Sequence, residues 1–196
     1  MKEFRRTLKN FKNFRFYDVV LSLIILFLFC PVIVLIFVLC WVDTGKPLFI
    51  QKRVGKDKKP FYLFKFRTMF VNTPSISSHL INKKSVTKFG SLIRILKFDE
   101  LPQLFNVIKG DMSLIGPRPC LFNQEQLIRE REFYKIFSVK PGITGLAQIK
   151  GIDMSQPIKL AKTDLYMINN LNNKKYFAYL FLTLFGKGRG DKINPD

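Results

Sequence analysis

Acidic residues are scarce in this chain: 14 Asp and Glu stand against 33 Lys and Arg in 196 residues, a formal charge of +19. Such an excess calls for an anionic partner, and composition alone leaves nucleic acid, anionic lipid and phosphorylated substrates open. Cysteine is also rare. Cys30, Cys40 and Cys120 are odd in number, lack metal-ligand spacing, and two of them fall in an apolar stretch. That argues against a disulfide framework or zinc site and for free thiols in a reducing cytoplasm. Histidine occurs once, as His79 in a Ser-rich polar loop, where an ordinary exposed residue is expected. There is no internal repeat and no clear linker. What is abundant is apolar: hydrophobic residues make up 47%, which excludes a disordered chain. The length suits one modest domain with an additional element.

That element is residues 19–42, 24 positions without a charge. As a helix the run is about 36 Å long, enough for a hydrocarbon core of roughly 30 Å. It is too long for a signal peptide, and the Lys-rich stretch behind it lacks a small-residue cleavage site. Both flanks are basic: Lys2, Arg5, Arg6, Lys9, Lys12 and Arg15 precede it, and Lys46, Lys52, Arg53, Lys56, Lys58 and Lys59 follow. Basic flanks prefer the cytoplasmic side, and here both ends carry them. Pro31 sits mid-run, where it removes a backbone hydrogen bond and bends a helix. Two forms fit: a helix that breaks at Cys30-Pro31 and returns to the face it entered, or a straight span with a tolerated kink. Asp18 and Asp43 bracket the run and are expected to mark the interface, with Tyr17 and Trp41 as its aromatic belt.

The remainder alternates short elements. Residues 48–69 predict two strands around a turn from Gly55 to Pro60, with one greasy and one cationic face. Residues 71–86 form a polar loop, the place where disorder is expected. Residues 88–98 predict an amphipathic helix, with Leu92, Ile95 and Leu96 on one side. A charged helix is expected over 124–137. The Gly- and Pro-rich segment 141–151 is expected to be a tight loop able to approach a ligand. Residues 176–186 are apolar and aromatic but too short to span, and suit either the membrane interface or the core.

Chemistry concentrates in DELPQLFNVIKGDMSLIGPRP, residues 99–119. Pro102 belongs in a first turn and Asp99 is a good N-cap, so a helix is expected to start at Asp99-Glu100 and end before Gly110. Two carboxylates then sit at a positive helix end, which keeps Asp99 ionised and attracts phosphate or a metal-phosphate complex. Gly116-Pro117-Arg118-Pro119 makes a stiff turn presenting one guanidinium, suited to bidentate phosphate contact. Each piece alone also has an ordinary reading, as a capped helix followed by a structural turn.

The order of an apolar hairpin with a central proline, then QKRVG, KFRTM, the 99–119 block and PGITGLAQ resembles the bacterial initiating sugar transferases. These are the monotopic phosphoglycosyltransferases of glycoprotein, capsule and O-antigen pathways, and the resemblance runs from about residue 15 to 186. It implies a mostly helical α/β fold: a re-entrant membrane helix and basic flank over 1–43, then a compact cytoplasmic catalytic domain over 44–196 with interfacial amphipathic helices. It implies transfer of a sugar-1-phosphate from a UDP-sugar to undecaprenyl phosphate, release of UMP, a requirement for Mg²⁺, and a place in the anionic cytoplasmic leaflet of the bacterial inner membrane. By the same resemblance Asp99 is the nucleophile, forming an aspartyl phospho-sugar, and Glu100 is the metal-binding member. Arg118, Arg94 and Arg67 are candidates for diphosphate contact. Asp164, with Gln148, belongs to the region near the metal or the uridine. The chain departs from the family in two places. Cys30 replaces the serine of the family's Ser-Pro break. Gly145-Leu146-Ala147-Gln148 and Gly151-Ile152-Asp153 replace a Trp- and Arg-containing pattern, a change that relatives acting on acetamido-deoxy sugars resemble.

Three rival readings have less to stand on. Nucleic-acid binding suits the charge and the Phe-Lys alternation in 61–67, but an uncharged 24-residue run beside the basic surface brings membrane phosphates to the same place. An inactive membrane scaffold would not need Asp99, Glu100 and Arg118 together. An ordinary glycosyltransferase would want a nucleotide-binding α/β domain for which the chain has no room.

Overall fold

The computed structural model describes residues 2–74 and 82–186, without the side chains of residues 2–13 and Lys83. His79 with residues 75–81 of its polar loop, and Lys187 and Arg189, lie outside the described residues. The chain is mostly helical, with two separate two-stranded sheets.

Helix α1 (Lys2–Leu28) is followed by α2 (Cys30–Thr44), and their apolar arms diverge by 68°. Among the described residues no single helix is long and apolar enough to cross a membrane. The break falls at Phe29, one residue before the Cys30-Pro31 pair expected to carry it. Pro31 lacks an N–H and its ring opposes the carbonyl four residues back, so the helix must restart with the proline in its first turn.

The inner side of this bent pair packs on the rest of the protein. Strand β1 (Leu48–Val54) pairs antiparallel with β2 (Pro60–Phe66), Leu48 opposite Phe66 and Val54 opposite Pro60. The two-face expectation for this hairpin is corrected. A period of two puts Phe61, Leu63 and Lys65 on one face and Phe66 on the other. Phe61 and Leu63 join the main core, whereas Phe66 packs with Ile36 and Cys40 of α2 and with Ile93 of α3 (Lys88–Ile95). Basic and apolar residues share both faces, with Lys52 on the side of Phe66 and Arg53 and Lys65 on the other.

Helix α4 (Gln103–Lys109) lies against β2, and the buried Asn106 fixes it there. Its Nδ2 donates to the carbonyl of Tyr62 at 2.7 Å and its Oδ1 accepts from Phe64 N at 3.0 Å. One side chain thus does for β2 what another strand would do. Strand β3 (Ser113–Ile115) pairs parallel with β4 (Gly142–Thr144), across α5 (Glu125–Phe133). The 141–151 segment is therefore a strand followed by the short helix α6 (Leu146–Ile149) rather than a loop throughout. Gly142 and Gly145 approach the backbone of Gly116: a Cβ on Gly142 would lie 2.0 Å from Gly116 N. Helices α7 (Pro157–Asn170) and α8 (Asn173–Leu184) close the fold.

Asp18 of α1 is expected at the interface, yet it is buried. Its Oδ1 accepts from Ser113 Oγ at 3.0 Å, Leu114 N at 2.9 Å and Tyr176 Oη at 2.7 Å. Three donors compensate the loss of water and join α1 to β3 and α8. Burial, with Asp18 beside it, pushes the Tyr176 phenol well above its ordinary range, so it remains a donor. Phe14 stacks on Tyr176 with ring centroids 4.8 Å apart. Arg15 donates to the carbonyls of Val107 and Ile108 in the last turn of α4, where carbonyls run out of helical partners and a cation is favoured.

The outer side of the pair is bare. Twelve large apolar residues between positions 23 and 42, among them Phe27, Leu28, Val34, Leu35 and Trp41, are exposed. The expected face of α3, Leu92, Ile95 and Leu96, is exposed as well. On α8, Tyr176 and Tyr179 enter the core as one of the two expected roles requires, while Phe177, Phe181 and Leu184 are exposed.

Candidate functional site

Asp99 and Glu100 occupy a 3₁₀ turn, Phe98–Glu100, that runs into α4 through Leu101 and Pro102. The N-cap expected at Asp99 is displaced. Lys97, in left-handed backbone with φ of 60°, reverses the chain after α3, and Asp99 lies inside the turn. For a residue other than glycine that conformation is uncommon, and it is what turns both carboxylates toward the hairpin. The helix does end at Gly110, as the sequence predicts, with φ of 98°.

Two cations meet the carboxylates. Lys65 Nζ lies 2.9 Å from Glu100 Oε1 and 3.9 Å from Asp99 Oδ2, and Arg118 Nη2 lies 3.3 Å from Glu100 Oε1. All four side chains are sheltered but reachable, from 10% exposed at Asp99 to 22% at Arg118. Adjacent carboxylates repel when partly desolvated, and Lys65 and Arg118 offset that repulsion. The same groups make a mixed-charge cluster able to receive a phosphate on its cations and a divalent ion on its carboxylates. Among the described residues no three His, Cys, Asp or Glu side chains gather as a metal cluster. A pair of carboxylates fits Mg²⁺, which takes one or two and completes its shell with water and substrate phosphates.

The guanidinium of Arg118 is presented by a backbone held from outside. Gly142 N donates to Pro117 O at 2.9 Å, and Arg131 Nη1 donates to Arg118 O at 2.7 Å. Arg53 Nη1 donates to Pro119 O at 3.0 Å, and Val54 N to Cys120 O at 3.0 Å. The other arginines expected at a diphosphate are engaged elsewhere. Arg94 donates to Thr68 Oγ1 at 3.3 Å, and Arg67 to the carbonyls of Lys46 and Leu48 at 3.0 and 3.2 Å. Gln148 Nε2 donates to the carbonyl of Ile143 at 2.8 Å. Asp164 is 1% exposed, with Oδ2 2.7 Å from Arg131 Nη2. Burial pushes its carboxyl up from the ordinary value, and the Arg131 guanidinium opposes that push.

Sequence reasoning passes over Lys65, Asn106 and Arg131. Lys65 has a signal: it lies two and four residues from Leu63 and Phe61, on the face that turns inward. Arg131 has one too, four residues after the buried Leu127 on one face of α5. Asn106 has none, since its partners are carbonyl and amide groups of a strand more than 40 residues away.

The site adjoins the bent helices, for Phe98, next to Asp99, meets Phe29 at the bend with ring centroids 6.1 Å apart. Comparison with known proteins gives this arrangement a family. The sequence matches the family described as bacterial sugar transferase over residues 9–187. It is 42% identical over 153 residues to EpsL, an uncharacterised sugar transferase of Bacillus subtilis, across 76% of this chain and 75% of that protein. Over 139 residues it is 42% identical to the UDP-glucose:undecaprenyl-phosphate glucose-1-phosphate transferase of Escherichia coli, covering 68% of this chain and 30% of that one. Over 137 residues it is 42% identical to the UDP-N-acetylgalactosamine-undecaprenyl-phosphate N-acetylgalactosaminephosphotransferase of Aeromonas hydrophila, covering 67% and 32%. The chain thus spans about three quarters of the Bacillus protein and about a third of the two longer relatives. With nearly its whole length matched, this chain belongs to the bacterial sugar transferase family.

Proposed function

We propose that the protein transfers a sugar-1-phosphate from a UDP-sugar to undecaprenyl phosphate at the cytoplasmic face of the bacterial inner membrane, releasing UMP. The observation that carries this reading is the Asp99-Glu100 pair, matched by Lys65 and Arg118 and set against the apolar bend at Phe29. A donor diphosphate needs cations, a lipid phosphate needs an apolar surface beside them, and both are at hand. The names of the Escherichia coli and Aeromonas relatives, each an undecaprenyl-phosphate sugar phosphotransferase, support the same reaction.

In this reading an Asp99 carboxylate oxygen attacks the β-phosphorus of the donor. The bond from that phosphorus to the bridging oxygen breaks and UMP leaves with the electron pair. An oxygen of the lipid phosphate then attacks the same phosphorus, the bond from phosphorus to the Asp99 oxygen breaks, and the carboxylate leaves with the electron pair. Arg118 and Lys65 counter the charge that gathers on the phosphoryl oxygens. Asp99 and Glu100 would hold Mg²⁺, which when bound lowers the repulsion between a carboxylate nucleophile and an anionic diphosphate. The donor is proposed to be a UDP-linked N-acetylated amino sugar, on the departures at Leu146 and Ile152 and the similarity to the Aeromonas relative.

Attachment follows the same logic. Arg15 and Asp18 fasten the start of the apolar arm of α1 to α4, β3 and α8, and Cys40 Sγ near the end of α2 reaches the carbonyl of Arg67 at 3.5 Å. Both ends dock on one polar body, which favours a re-entrant helix over a span. Labels on cysteines placed at positions 5 and 56 are expected to report the same side of the membrane; opposite sides would establish a span.

The reaction is tested by UMP release from a panel of UDP-sugars with Mg²⁺ and undecaprenyl phosphate, beside the Asp99→Asn variant. Lipid-dependent release that the variant loses names both the sugar and the nucleophile. Appreciable turnover by Asp99→Asn refutes the covalent route. Glu100→Gln is expected to raise the Mg²⁺ concentration needed for half-maximal rate, and an unchanged requirement would remove Glu100 from the metal site.

A further inference from the structure

The turn 117–119 contains two prolines, so only Arg118 has a backbone N–H and the turn cannot fasten its own carbonyls. Three other elements hold them: β4 through Gly142, α5 through Arg131 and β1 through Arg53. Of these, Arg131 is the one fixed by a buried charge. It is 2% exposed, and its Nη2 donates to the buried Asp164 of α7 at 2.7 Å while its Nη1 donates to Arg118 O at 2.7 Å. A guanidinium is planar, so once Nη2 is bound to a carboxylate the direction of the Nη1 hydrogens is set as well. A buried ion pair adds little stability over apolar residues of similar volume, because both charges must be stripped of water. Its geometry is therefore what the pair contributes.

We infer that Asp164 and Arg131 are positioning residues that grip the carbonyl of Arg118 and thereby aim its guanidinium at Glu100 and the donor diphosphate. Asp164 then touches neither metal nor nucleotide, and acts at two removes from the phosphate. This inference rests on the transferase reading above, and deepens it by naming what sets the phosphate-binding arginine.

The test is a mutant cycle on the full chain in lipid, read by UMP release with the UDP-sugar that the wild type uses. Arg131→Met with Asp164→Leu removes the pair without leaving a lone buried charge, and is expected to keep its thermal unfolding midpoint within a few degrees. Its kcat/KM is expected to fall by about 10- to 100-fold, the cost of a misplaced group. In an Arg118→Ala background the same two substitutions are expected to cost nothing further. An equal loss with and without Arg118, or full rate in the double variant, would overturn the inference. Should the double variant unfold, Asp164→Asn, which keeps the shape and one acceptor for Arg131, enters the same cycle with the same criteria. Absence of UMP release by the wild type would overturn the transferase reading and this inference together; normal release with an additive cycle overturns the inference alone.

Discussion

Around the bend at Phe29, large apolar side chains face outward; around Asp99, beside it in space, four charged side chains face inward. Either arrangement is costly in water. Exposed apolar patches of that extent are unusual in soluble monomers, and partly buried carboxylates repel each other. The two regions handle the cost differently. The charged one is balanced internally, by Lys65 and Arg118, before any ligand arrives. The apolar one has no partner within the described residues along its outer side, although its inner side is joined to the body by Asp18, Arg15 and Phe14. A site for reaction has to be preorganised by the protein, whereas a surface for lipid needs only to be presented.

Breaking the charged region is expected to have the largest effect. Asp99→Asn should lower UMP release by roughly a thousandfold or more while the unfolding midpoint holds, because the proposed nucleophile goes and the shape stays. Arg118→Ala should lower kcat/KM by roughly 100- to 1000-fold, and Arg118→Lys should recover only part of it if a forked contact with phosphate is being used. Next comes the inner side of α1. Asp18→Ala leaves Tyr176 Oη, Leu114 N and Ser113 Oγ without their acceptor and should cost about 3 kcal/mol in chemical denaturation. Rate per folded molecule should change little, which sets this acid apart from Asp99. The smallest effect on the folded body is expected on the outer side. Phe27 and Leu28 are 82% and 65% exposed, so Phe27→Asp with Leu28→Asp should leave the unfolding midpoint in detergent unchanged. Partition onto anionic vesicles should nevertheless weaken at least about tenfold, at roughly 1.5 kcal/mol or more for each apolar side chain kept out of lipid. Equal partition would show that the exposed apolar side does not meet the membrane.

Local rules worked where local causes dominate. Pro31 predicts a break, Gly110 a helix end and Gly55 to Pro60 a turn, and each is found within a residue of its place, because backbone sterics act over a few residues. They failed where a distant partner decides. Asp99 is a local exception: it looks like an N-cap until Lys97, two residues before it, adopts a left-handed conformation and puts it inside the turn. Gly142 and Gly145 look like a ligand loop until β3 arrives with Gly116 to fill the space. Asp18 looks like an interface marker until Tyr176, far along the chain, supplies its hydroxyl.

By itself the sequence determined which segment is apolar and where the Asp99-Glu100 pair and Arg118 fall in one ordered block, since side-chain type and run length are properties of the chain. It set the family as well, through the ordered 99–119 block. Only the tertiary structure decided which charges meet. Lys65 rather than Arg94 or Arg67 joins Arg118 at the carboxylates, and Asp164 turns to Arg131 instead of the open site. The physical reason is that electrostatic pairing depends on separations of a few ångströms between side chains of remote elements. Those separations exist only once Asn106 has docked α4 on β2 and the glycines have let β3 and β4 close.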